Sequence, residues 1–288
     1  MIRQSAHRAP ARWVLGTTSV VAAATLAVLV QGAGPVAAQP TASGAATVAV
    51  DEGAAYVALG DSYAAGVGAG SYDPASGACL RSTVAYPALW AAAGDVTSAV
   101  SVACGGAKIA DMLADQLSAL GPDTESVTVT VGGNDAGFSR VLGTCSVADD
   151  AACVAEVKDG MRFAVTELSD RLGEAFTAIR RAAPRARVYV LGYPRLFETA
   201  RTCSTTPLTL TERAVVNAGT DVLDGVIAYR AWRSGFRFVD VRWAFLGHGV
   251  CGRDPWITGA VQPDYESYHP NALGQRLGYL PALRRAAG

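Results

Sequence analysis

Lysine is nearly missing from this chain: Lys108 and Lys158 are the only two among 288 residues, and the arginines are scattered rather than clustered. A nucleic-acid surface needs a basic stripe, so the sequence offers no footprint for that class of partner. No Cys-x-x-Cys pair occurs, and with it goes the spacing that many zinc sites use. The glycines Gly66, Gly68 and Gly70 are not followed by the Lys-Ser/Thr of a phosphate loop, so nucleotide binding is not supported. No internal repeat, no second composition regime and no long linker follow Asp51, which leaves room for one large domain. Histidine is almost as scarce, with His7, His248 and His269 as the whole supply.

What is present is apolar and exported in character. Hydrophobic residues make up 50% of the chain, enough to bury a full core. Arg3, Arg8 and Arg12 precede an apolar run over residues 13–30, and Val36-Ala37-Ala38 supplies the small residues of a cleavage site. Residues 1–38 are therefore expected to be a signal peptide, with an uncleaved membrane anchor as the alternative. Residues 39–53, rich in Ala, Thr, Gly and Ser, read as a flexible N-terminal segment, and residues 54–288 as the folded domain. Without the leader the chain holds 21 basic and 25 acidic residues, a formal charge of −4. All six cysteines follow the leader, and an even number in an exported chain points to disulfides rather than reactive thiols. Among the connectivities open to them, pairing of neighbours in order is the expectation: Cys79 with Cys104, Cys145 with Cys153, Cys203 with Cys251.

The run Tyr56-Val57-Ala58-Leu59 ends abruptly in Gly60-Asp61-Ser62, with a glycine-spaced loop to Gly70. That pattern reads as a buried strand delivering a serine to the edge of a sheet. Four runs over residues 99–103, 127–131, 187–191 and 236–241 resemble it. Helical segments fit between and after them, over residues 86–93, 108–120, 154–183, 211–233 and 271–287, with Pro184 and Gly235 ending the two longest. Strands alternating with helices predict an α/β fold, a three-layer α/β/α domain around a five-stranded parallel sheet. In such sheets ligands sit outside the carboxyl ends of the strands. Residues 138–153 and 193–210 read as irregular, disulfide-tied insertions that wall a pocket near that edge.

Three strand ends carry a glycine beside a polar group: Gly60-Asp61-Ser62, Cys104-Gly105-Gly106 and Gly132-Gly133-Asn134-Asp135. Near the C-terminus, Glu266-Ser267-Tyr268-His269-Pro270-Asn271 leads into the last helix, and Pro270 pushes His269 into an extended conformation facing the same edge. These four blocks, in this order across most of residues 54–287, closely resemble the GDSL or SGNH hydrolase family. The resemblance is strongest to its secreted three-disulfide esterases and lipases of actinomycetes, which supports the cysteine pairing and implies a flavodoxin-like strand order of 2-1-3-4-5.

Carried over residue by residue, the resemblance implies Ser62 as nucleophile and His269 as general base. A neutral hydroxyl attacks an ester too slowly without a neighbouring base to take its proton, and the base returns that proton to the leaving alcohol. The backbone N–H groups of Ser62 and Gly106 and the side-chain amide of Asn134 would form an oxyanion hole, with Gly105 as the alternative to Gly106. The group orienting His269 stays open between the carboxylate of Glu266 and that residue's backbone carbonyl, with Asp264 a minor alternative. His248, the sole rival base, reads as a structural residue beside a disulfide, and Asp135 as a cap for the segment after it. Tyr63 replaces the leucine of the family's name and points either into the core or toward the acyl site.

The expectation is a secreted, monomeric serine esterase or lipase that cleaves carboxylic esters through an acyl-enzyme intermediate, with no metal and no cofactor. A phospholipase or polysaccharide acetyl esterase of the same fold is the alternative within the class, and a noncatalytic extracellular binding module the alternative outside it. Leu142, Leu196, Phe197, Phe245 and Trp256 are candidate acyl-binding walls, or else core.

Overall fold

The structure, a computed structural model, describes residues 55–93, 98–199 and 203–288. The expected signal peptide at 1–38 and flexible segment at 39–53 lie outside the described residues. Strands β1 (Tyr56–Gly60), β2 (Ala99–Ser101), β3 (Ser126–Thr130), β4 (Arg187–Leu191) and β5 (Arg237–Val239) form one parallel sheet in the order β2-β1-β3-β4-β5. All residues of β1 and β3 are buried, as a parallel sheet covered on both faces requires. At the two edges the pairing is shorter than the apolar runs at 99–103 and 236–241 suggest. An edge strand is held from one side only, and at β2 two further bonds, from the Val102 N–H to the Ala58 carbonyl and from the Cys104 N–H to the Gly60 carbonyl, carry the contact with β1 beyond the paired segment.

Helices α1 (Ser62–Ala65), α2 (Tyr86–Ala93), α3 (Ile109–Asp111), α4 (Phe138–Val147), α5 (Asp150–Phe163), α6 (Ser169–Ala182), α7 (Leu210–Arg233) and α8 (Leu280–Ala287) surround the sheet. α2 packs against α8, while α6 packs against α3 and α7. The apolar stripe of α6, with Leu172, Phe176 and Ile179 buried, is the sequence reason it docks there. α7 begins in a reciprocal cap, in which the Thr209 hydroxyl accepts from the Glu212 N–H and the Glu212 carboxylate accepts from the Thr209 N–H.

Three helices depart from simple periodicity. The segment at 108–120 is α3 followed by a wide π turn over Met112–Gln116, and α5 joins α6 through a second such turn at Ala164–Leu168. A third, Gly274–Tyr279, opens the last helix. The segment expected to be irregular at 138–153 is instead helical from Phe138 to Val147 and again from Asp150. Only Leu142 and Cys145 of α4 are buried, so its apolar periodicity is too weak to read from sequence. Disulfides join Cys79 to Cys104, Cys145 to Cys153, and Cys203 to Cys251. Among the described residues, no helix is long and apolar enough to cross a membrane.

Candidate active site

β1 ends in a backbone that only glycine fits. Gly60 has φ +128°, and a Cβ there would sit 2.2 Å from the Thr130 carbonyl oxygen. The buried amide of Gln116 fixes it from the other side: Gly60 N–H donates to Gln116 Oε1 at 2.7 Å, and Gln116 Nε2 donates back to the Gly60 carbonyl at 2.9 Å. The chain then turns into α1, with Asp61 as N-cap accepting from the Tyr63 N–H at 2.9 Å. Ser62 is therefore the first helical residue, and its own N–H has no protein acceptor among the described residues.

His269 reaches Ser62 from a separate loop. Its Nδ1 lies 2.9 Å from the Ser267 carbonyl oxygen and its Nε2 lies 2.8 Å from Ser62 Oγ. A carbonyl can only accept, so Nδ1 carries the proton and Nε2 accepts from the Ser62 hydroxyl. Tyr268 adopts φ +61° and makes the turn between the Ser267 carbonyl and the imidazole. The His269 residue is 8% exposed, and its ring is flanked by those of Tyr63 and Phe138 at 5.1 and 5.7 Å. Burial disfavours the imidazolium and pushes the His269 pKa down to about 4, against a smaller raising effect of the Ser267 carbonyl. Gly68 lets the glycine loop lie directly on this residue, since a Cβ at Gly68 would fall 2.9 Å from His269 Cβ.

The other two blocks converge on the same edge. Gly105 N–H is taken by the Cys79 carbonyl at 3.0 Å, whereas Gly106 N–H has no protein acceptor among the described residues. Asn134 donates one amide hydrogen to the Ala107 carbonyl at 3.0 Å, which leaves the second hydrogen of that group for another acceptor. Ser62, Gly106, Asn134 and His269 line one cleft of about 530 Å³, together with apolar Leu80 and Phe138.

The remaining candidate residues make contacts of their own, and those of Glu266 and Asp135 differ from expectation. The Glu266 carboxylate is engaged by the Tyr72 hydroxyl at 2.6 Å, and the Glu266 carbonyl accepts from the Thr258 hydroxyl at 2.5 Å. Neither is the group on His269 Nδ1; the Ser267 carbonyl, two residues before the imidazole, takes that place. Asp264 opens a short turn over Asp264–Glu266 and has no bond to the imidazole. His248 stacks on Trp256 at 3.5 Å with Nδ1 on the Asp254 carbonyl. Asp135 caps the start of α3 through the Ile109 N–H at 3.0 Å, not the segment that follows it. Tyr63 points inward, donating to the Tyr268 carbonyl at 2.8 Å. Of the candidate acyl walls, Leu142 lines a second cleft that shares Phe138 and His269, while Phe245 and Trp256 pack on each other and Phe245 on Tyr279.

Two buried groups, Gln116 and Tyr193, carry no motif that would mark them in the sequence, while the carboxylate of Asp61 lies inside the Gly60-Asp61-Ser62 block with no role assigned to it there. Tyr193 donates to Asp61 Oδ2 at 2.5 Å and accepts from the Gly133 N–H at 3.0 Å. Burial lifts the Asp61 pKa to about 7 despite the hydrogen bonds it accepts from the Tyr193 hydroxyl and the Tyr63 N–H. Only the adjacency of Asp61 to Ser62 in the chain hints at a role.

The model of the GDSL-like lipase/acylhydrolase family matches residues 58–277. A lipase of Streptomyces rimosus is 45% identical over 231 residues, covering 80% of this chain and 86% of its own length. Lipase 1 of Streptomyces coelicolor is 43% identical over 249 residues, covering 85% of this chain and 92% of its own. Among solved structures, the extracellular lipase of Streptomyces rimosus aligns with a TM-score of 0.78 over 80% of this chain and 98% of that one, at 45% identity. Phospholipase A1 of Streptomyces albidoflavus aligns equally well, with a TM-score of 0.78 at 45% identity over 81% of this chain and 99% of that one. With its four motif blocks gathered on one sheet edge and relatives of this closeness, the chain belongs to the GDSL-like lipase/acylhydrolase family of ester-hydrolysing enzymes.

Proposed function

We propose that the chain hydrolyses carboxylic esters of apolar acyl groups, with Ser62 as nucleophile, His269 as general base, and the N–H groups of Ser62 and Gly106 with the Asn134 amide as oxyanion donors. The observation that carries this reading is the 2.8 Å contact between Ser62 Oγ and an imidazole whose Nδ1 faces a carbonyl. Neutral Nε2 takes the hydroxyl proton as Oγ bonds to the ester carbon, and the carbonyl electron pair moves onto oxygen. The negative charge forming there raises the proton affinity of the neighbouring imidazole, which offsets the depressing effect of burial. His269 then passes the proton to the departing alcohol, leaving an acyl-Ser62 ester, and water repeats the sequence to release the acid.

Ser267, through its backbone carbonyl, fills the orienting role for which Glu266 is the sequence candidate. Glu266→Gln is accordingly expected to keep kcat within about threefold of wild type, whereas loss of a true triad carboxylate lowers it about 10⁴-fold. Steady-state hydrolysis of a p-nitrophenyl ester measures this, and a fall approaching the larger figure would return the role to the carboxylate.

The apolar walls Val67, Leu80 and Phe138 beside the serine favour acyl chains over acetylated sugars. Relatives named lipase and a neighbour named phospholipase A1 support lipid esters as the substrate class. A panel of p-nitrophenyl acyl esters, phosphatidylcholine and acetylated xylan tests this, with the xylan expected to be the poorest substrate. Its being the best would overturn the acyl-ester reading. In the same assay kcat/KM should hold as pH falls below the usual histidine range and drop only through about pH 4, because His269 binds its inactivating proton there. An acidic limb near 6.5, the ordinary imidazole value, would contradict a buried neutral base. Export of the chain is part of the same proposal, supported by the leader-like residues 1–38, the three disulfides and a relative described as extracellular.

A further inference from the structure

Tyr193 lies beyond the carboxyl end of β4, in a segment to which neither the motifs nor the family match assigns a role. It is 5% exposed and held at both ends. Its N–H donates to Asp224 Oδ1 at 2.9 Å, and Arg242 Nε stands 3.5 Å from the other oxygen of that buried carboxylate. Its ring meets Tyr63 edge-on at 5.0 Å. The hydroxyl does two things at once: it donates to Asp61 Oδ2 at 2.5 Å and accepts from the Gly133 N–H at 3.0 Å.

Each of those partners is one residue from a proposed oxyanion donor. Asp61 precedes Ser62 and, through its other oxygen, caps α1 on the Tyr63 N–H. That cap leaves the Ser62 N–H without a protein acceptor among the described residues. Gly133 precedes Asn134, whose amide is itself tied to the Ala107 carbonyl beside Gly106. One phenolic oxygen thus spans the loops after β1 and β3.

We infer that Tyr193 is a positioning residue that sets the spacing between the Ser62 N–H and the Asn134 amide, so that both meet the same oxygen of the tetrahedral intermediate. The inference rests on the reading of those groups as the oxyanion hole. Oxyanion donors act only when aimed at where charge develops, and displacement of one by a fraction of an ångström weakens the transition state more than the ground state. Without the hydroxyl, the Gly133 N–H and Asp61 Oδ2 each lose a buried partner, and the two loops lose their common anchor.

Tyr193→Phe, which keeps the ring and removes one oxygen, tests this. The expected result is a fall in kcat of about 30- to 100-fold, somewhat less than outright loss of an oxyanion donor, with KM within about twofold of wild type. An alkyl boronic acid, whose serine adduct imitates the tetrahedral intermediate, should lose affinity by a similar factor. A residue that serves only the fold would lower the melting temperature and leave kcat of the folded protein and boronate affinity in place; that outcome overturns the inference. Should Tyr193→Phe not accumulate, Asp61→Ser breaks the same bridge from the other side, since its single hydroxyl oxygen can still cap α1 but the second oxygen that Tyr193 holds is gone. An unchanged kcat and boronate affinity there would be equally decisive against it. In the double variant the two losses should not add, because both remove one bridge. Failure of the inference differs from failure of the underlying reading, which would show as persistent ester hydrolysis by Ser62→Ala.

Discussion

Ser62→Ala is expected to lower kcat for a p-nitrophenyl acyl ester by on the order of 10⁶-fold, since removing the nucleophile disables a unit whose members do not act separately. The oxyanion donors would remain, because the substitution keeps the backbone N–H at that position, and they sustain a residual rate of about 10³ to 10⁴ over water. The same substitution should abolish labelling by a fluorophosphonate probe. The fold should tolerate it: among the described residues the hydroxyl bonds to His269 Nε2 alone, and the backbone of α1 does not depend on it. A variant hydrolysing the ester within tenfold of wild type, or still labelled, would end the proposal of an acyl-enzyme on Ser62. It would also revive the noncatalytic binding module as the reading of this chain.

Gly60→Ala is expected to act on stability instead, and more severely than any surface change. Its φ of +128° is a conformation that L residues rarely adopt, and the new Cβ would lie 2.2 Å from the Thr130 oxygen and 2.9 Å from the Thr130 nitrogen. That oxygen accepts from the Asp61 N–H at 2.9 Å, so it cannot move away without breaking the entry to α1. Strain at a disallowed backbone together with overlap in a close-packed core places the cost above about 4 kcal/mol. For a domain of this size that corresponds to a melting temperature lowered by roughly 10 °C or more. Thermal unfolding of the purified variant measures it, and a melting temperature unchanged from wild type would show that the β1 end can relax. Activity per folded molecule should fall too, since the displaced strand end carries Asp61 and Ser62.

Residues of the site differ in how plainly they announce themselves. Ser62 is visible as part of a Gly-Asp-Ser block after an apolar run, and His269 as a histidine held extended by Pro270; both depend on neighbours in the chain. The sheet follows from short apolar runs alternating with helical segments, and the strand order from the family resemblance. α4 is not visible, because a helix that buries only Leu142 and Cys145 leaves almost no periodic trace. Glu266 is a reasonable candidate by spacing, yet the positive φ of Tyr268 turns the chain so that the Ser267 carbonyl reaches the imidazole. A backbone carbonyl exists at every residue, and nothing in the side-chain pattern marks the one that will be used.

Residue type and local order, helped by the family resemblance, are enough for the fold class, the pairing of the cysteines and the choice of Ser62, Gly106, Asn134 and His269 as candidates. What aligns those residues comes from packing: Gln116 on Gly60, the Tyr72 hydroxyl drawing Glu266 away, and Tyr193 bridging Asp61 and Gly133. Those contacts join residues 56, 194, 132 and 60 positions apart. Local propensity and motif spacing act over a few residues, so a hydrogen bond closed across such distances is fixed only when the sheet and its loops have packed.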